Sequence, residues 1–116
     1  MACTGFDEAG EDYLRYWVIN LRNMSVVWVK AYISPELRRE ISERYGDILY
    51  FRDGKVYPKN AEYMELVNEI YIALRTAANI KLGTAGDVGS YYEVELYPGD
   101  VDFSEADKVK KTMEAM

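Results

Sequence analysis

The sequence predicts an α+β domain of the ferredoxin-like type, a βαββαβ run folded into a four-stranded antiparallel sheet with its helices on one face. Three observations carry this expectation. Segments 26–33 and 90–97 alternate their side chains with period two, as half-buried strands do. Two other segments repeat apolar residues every three or four positions behind clear helix starts at Ser34-Pro35 and Asn60. Between them, Asp53-Gly54 separates two apolar runs, the strongest short-range hairpin signal. From residue 25 to 97 the order is therefore strand, helix, strand, strand, helix, strand. Right-handed crossovers place both helices on one side of such a sheet. Residues 1–24 are assigned to a tail and an appended helix, and 25–116 to a single domain that closes on a short C-terminal helix.

Each element has a local reason. Residues 1–10 read as a loose tail. Tyr13/Leu14, Trp17/Val18 and Leu21 fall at helical spacing behind Asp12 as N-cap, so 12–23 is expected to be helical. The first strand, Val26 to Ile33, sets Val27, Val29, Ala31 and Ile33 against Trp28, Lys30 and Tyr32. Ser34 then caps a helix with Pro35 at its first position and Glu36 in its first turn; Leu37, Ile41 and Tyr45 form its apolar stripe and Gly46 ends it. In the hairpin, a two-residue loop at Asp53-Gly54 pairs Arg52 with Lys55, Phe51 with Val56 and Tyr50 with Tyr57. The longest helix, about 60–82, carries Tyr63, Val67, Ile70, Tyr71, Leu74 and Ala78 on one stripe. GTAGDVG (83–89) reads as a link. The last strand sets Tyr92, Val94 and Leu96 against Tyr91, Glu93, Glu95 and Tyr97. Ser104 with Asp107 reads as the capping box of a final helix carrying Val109 and Met113.

The composition narrows the function classes. At 116 residues the chain supports one core, and no apolar run approaches the roughly 20 residues of a membrane span. One cysteine excludes an internal disulfide, and the start lacks the pattern of a secretory signal, so a soluble cytoplasmic protein is expected. There is no His and no Gln, a bias of the kind found in proteins from very hot organisms. Without His, the usual nucleophile–base pairs and Cys/His zinc sites cannot be assembled, so no enzyme, cofactor or metal is expected. Asp100 to Ser104 begins like a calcium loop, but the sharp-turn Gly is replaced by Glu105 and the twelfth position is Lys111; helix capping explains Asp102 and Ser104 better. Glu93 and Glu95 share a face and fit a solvated edge strand better than a Mg²⁺ site. The net charge of −6 is spread evenly along the chain, so any anion site must be a local patch.

Such a patch is predicted on the sheet. If helices cover the aliphatic side, the other side presents Trp28, Lys30, Tyr32, Tyr50, Arg52, Lys55, Tyr57, Tyr91 and Tyr97 beside Glu93 and Glu95. Two cations directly opposite each other, Arg52 and Lys55, are destabilising unless an anion lies near. Three occupants fit. A single-stranded nucleic acid would stack bases on the rings and place phosphates on Lys30, Arg52 and Lys55. Another subunit would bury the aromatics in an interface. The chain's own terminal helices could also fold over the face.

The basic aromatic hairpin YFRDGKVYP (50–58), within a small sheet with packed helices over about residues 25–97, resembles the ThermoDBP-related proteins, single-stranded DNA-binding proteins of hyperthermophilic archaea. The resemblance implies single-stranded DNA binding through a hydrophobic cleft with basic rims, on a homo-oligomer. The expectation is therefore single-stranded DNA or RNA binding. The alternative is a non-catalytic assembly or regulatory module whose aromatic face lies between subunits.

Overall fold

The computed structural model describes residues 12–84 and 89–115. The described residues form an α+β fold of five strands and three α-helices. β1 spans Asp12–Asn20, β2 Ser25–Ile33, α1 Pro35–Tyr45, β3 Leu49–Arg52 and β4 Lys55–Pro58. A 3₁₀ turn at Ala61–Tyr63 leads into α2, Met64–Thr84; β5, Tyr91–Leu96, precedes α3, Ser104–Ala115. The loop tail of 1–10 and residues 85–88 of the predicted link lie outside the described residues.

Two expectations are corrected. The predicted helix over 12–23 is instead β1 with the turn that follows it. Tyr13/Leu14, Trp17/Val18 and Leu21 fit a helix, but the same segment also alternates: Leu14 and Tyr16 are buried while Arg15, Trp17 and Ile19 are exposed. Aromatic and β-branched residues pack well on a pleated surface, and that preference prevails here. Asn20 and Asn23 close the turn by accepting backbone N–H bonds from Arg22 at 2.9 Å and Ser25 at 3.0 Å. β1 and β2 then pair antiparallel along their whole length, from Asn20 opposite Ser25 to Asp12 opposite Ile33.

The second correction concerns the sheet. Among the described residues there is no four-stranded antiparallel ferredoxin-like sheet. A three-stranded mixed sheet has the order β1-β2-β5, with β5 parallel to β2, and β3-β4 form a separate two-stranded sheet. The reason is competition for β2. β1 needs only a four-residue turn to reach it and brings nine residues of pairing; the short hairpin is left outside β1. Its tip touches β1 through one backbone bond, from the Arg15 N–H to the Gly54 carbonyl at 2.8 Å.

The other elements follow their local signals. Ser34 accepts the Leu37 N–H at 3.0 Å as N-cap of α1, and Gly46 ends that helix at φ +83°. The hairpin register pairs Arg52 with Lys55, Phe51 with Val56 and Tyr50 with Tyr57, with Asp53 and Gly54 both at positive φ. The Ser104–Asp107 capping box is absent: the Asp107 carboxylate accepts from the Tyr45 hydroxyl at 2.7 Å and from Arg44 at 3.3 Å, holding α3 against α1. The helices pack against the aliphatic side of the sheet. Leu37, Ile41, Ile70 and Leu74 meet Leu14, Val27, Val29, Ala31 and Leu96 in one buried core.

Candidate nucleic-acid interface

Opposite that core, the outer face of the mixed sheet is organised in cross-strand rows. Trp17, Trp28 and Tyr91 form one row; Arg15, Lys30 and Glu93 the next; Tyr13, Tyr32 and Glu95 the third. Ile19 lies opposite Val26 beyond the tryptophans. Trp17 is 53 % exposed, Trp28 48 % and Tyr91 53 %, and the three stand side by side as one exposed aromatic row. The Lys30 ammonium lies 4.6 Å from the Tyr13 ring centre and 5.0 Å from that of Tyr32, and the hydrogen-bonded Tyr32 hydroxyl holds Lys30 above the ordinary lysine range. Glu93 accepts the Tyr91 hydroxyl at 2.8 Å, and Glu95 that of Tyr97 at 2.6 Å.

A cleft of about 1030 Å³ opens where this face reaches the free edge of β1. Arg15 to Ile19 line it as a continuous stretch, roughly 14 Å of strand. β4 forms one wall with Lys55, Val56, Tyr57 and Pro58. Met64, Val67, Asn68, Tyr71 and Arg75 form the other, one face of α2 at three- and four-residue spacing. Five aromatic residues line the cleft: Tyr16, Trp17, Trp28, Tyr57 and Tyr71. Among the described residues, its charged lining residues are Arg15, Lys55 and Arg75, with no carboxylate. None of the ion pairs among the described residues uses these three cations, whereas Arg38, Arg44, Lys59 and Lys81 each meet a carboxylate.

Arg75 is held in place. Its guanidinium lies 4.4 Å from the Tyr16 ring centre and donates to the Tyr71 hydroxyl at 3.1 Å. Beneath it, the Tyr16 hydroxyl donates to Asn79 Oδ1 at 2.6 Å, and burial pushes that hydroxyl up to about 12. One face of the guanidinium is thus set on the Tyr16 ring, and one of its five N–H groups is used by Tyr71.

The residues singled out in the sequence fall into four places. Trp28, Lys55 and Tyr57 meet in the cleft. Lys30, Tyr32 and Tyr91 continue from Trp28 across the outer face. Tyr50 stacks on Tyr57 with ring centres 5.4 Å apart, and Arg52 shares the exposed hairpin strand β3; both belong to the smaller sheet, so the hairpin does not extend the Trp28 face as one surface. Tyr97 lies past the end of β5, where Lys81 approaches its ring at 5.7 Å. Sequence reasoning missed Arg15, Trp17, Tyr71 and Arg75. The alternation Leu14, Tyr16 against Arg15, Trp17 was the signal for the first two; the α2 pair needed knowledge of which helix face borders β1.

No family model, curated protein or solved structure matches the chain. The site is therefore interpreted by its own chemistry.

Proposed function

We propose that the protein is a non-catalytic, cytoplasmic binder of single-stranded nucleic acid, DNA in the first place, held in the cleft along β1. One observation carries the reading. In a chain of net charge −6, the aromatic cleft is lined, among the described residues, by three cations that form no ion pair with a described carboxylate and by no acid. Bases stack on exposed rings such as Trp17 and Tyr57 at about 1–3 kcal/mol each, while cations track the backbone phosphates. Lys30 continues from the cleft across the outer face, beside Glu93, while Arg52 stands apart on the smaller sheet. The resemblance of the hairpin to ThermoDBP-related proteins supports the same ligand.

The test is binding of a fluorescent oligo(dT) across a salt series, for wild type and for Arg15→Ala/Lys55→Ala. Affinity should fall with salt, and each phosphate contact removed should reduce the slope of log affinity against log salt by about 0.7. Absence of binding at low salt rules the proposal out. Binding indifferent to both salt and the substitutions moves the site elsewhere.

A specific arrangement favours a second reading, a subunit interface on the outer face. Cations stand in the β1 and β2 columns, Arg15 and Lys30, while Glu93 and Glu95 stand in the β5 column. A two-fold axis along β2 lays β1 of one copy over β5 of the other. Arg15 then meets Glu93, and the Trp17–Trp28–Tyr91 row meets its own reverse.

A further inference from the structure

Resting on the nucleic-acid reading, we propose that the open edge of β1 reads the Watson–Crick edges of unpaired bases. In an antiparallel pair, alternate residues turn both N–H and C=O toward the partner or away from it. Arg15 turns outward, because its N–H bonds Gly54 beyond the sheet. Trp28 turns toward β5, its N–H bonding the Ser90 carbonyl at 2.9 Å, so its partner Trp17 also turns outward. By the same parity Ile19 does. The main-chain groups of Trp17 and Ile19 have no partner among the described residues and face the cleft.

That state is unusual for an edge strand, which is normally blunted by charge or cover. β5, the opposite edge, is blunted: Glu93 and Glu95 stand on it, and Lys81 Nζ caps the Glu95 carbonyl at 2.9 Å. The hairpin tip lies against β1 at Tyr13 and Arg15 and makes its one backbone bond at Arg15, short of Trp17 and Ile19. The uncovered stretch offers two donor–acceptor pairs about 6.8 Å apart, twice the strand rise. Each base carries an adjacent donor and acceptor on its Watson–Crick edge, and splayed single strands are read there while their rings stack on aromatics. An added peptide strand would satisfy the same main-chain groups. Arg15, Lys55 and Arg75, which meet no carboxylate among the described residues, favour a polyanion. In a duplex those base edges are already paired, so the site selects single strands.

The experiment compares oligo(dT) with the same oligomer methylated at every thymine N3, which keeps phosphates and ring faces but removes the N–H donor. A matching duplex is the third ligand. Methylation is expected to weaken binding roughly tenfold or more, and the duplex to bind no better than the methylated strand. On the protein side, Ile19→Pro removes one outward N–H and spares the β1–β2 ladder, a place where edge strands tolerate proline. It should weaken oligo(dT) binding roughly fivefold beyond Ile19→Ala, which keeps the N–H. Equal affinity for methylated and unmethylated strands overturns the edge reading and leaves single-strand binding by stacking intact. No binding of either strand overturns both. If Ile19→Pro does not fold, the methylated oligomer alone decides.

Discussion

Gly54 shows how one residue joins the two sheets. Its φ of +83° suits the tight turn, and a Cβ there would stand 2.8 Å from Arg15 Cβ. Gly46 has the same φ with open space around it. Gly46→Ala should therefore cost about 1 kcal/mol from backbone strain alone. Gly54→Ala should cost about 2–3 kcal/mol, because the hairpin must also withdraw from β1. Urea unfolding of both variants checks this; equal losses would mean that the hairpin tip is not packed on Arg15. Tyr16 makes a second prediction at this scale. Its hydroxyl is raised from the ordinary 10.0 to about 12 by burial, against a smaller lowering by Arg75. The neutral form is the one the fold favours, so its contribution is complete below pH 10 and is lost as pH climbs toward 12. Tyr45 acts in the same direction, through burial and then through Asp107. Stability measured between pH 10 and 12 should fall less steeply in Tyr16→Phe than in wild type, and an unchanged slope contradicts the assignment.

Among the elements, β1 matters most. Its alternation was legible at Leu14, Tyr16 and Val18, yet the same residues fit a helical stripe. Periodicity over so short a segment does not choose between the two; the presence of β2 four residues away does. Amide exchange distinguishes the outcomes residue by residue. Leu14, Tyr16 and Val18 should be protected by the β2 ladder, Arg15 by Gly54, and Trp17 and Ile19 should exchange fastest in the strand. Uniform protection over 14–19 would indicate a helix or a covered edge. The hairpin behaved differently. Its register followed from two turn residues, because positive φ at Asp53 and Gly54 leaves few alternatives.

For the whole molecule, the exposed outer face makes a prediction about mass. If that face lies between copies, light scattering should give a dimer for wild type and a monomer for Trp28→Ala; a monomeric wild type removes the interface reading. The sequence by itself determined the helix from Pro35, a long second helix whose start it set at Asn60 instead of Met64, the hairpin and its register, and the division of β2 and β5 into core-facing and outward sides, since caps, turns and side-chain alternation act over a few residues. The tertiary structure alone decided which strand sits beside β2, that β5 runs parallel to it, and that Arg15, Trp17, Tyr57 and Arg75 share a cleft. Those outcomes depend on competition between distant segments for one strand edge. A nine-residue strand tethered by a short turn pairs at little loop-closure cost, and a hairpin of two four-residue strands does not displace it.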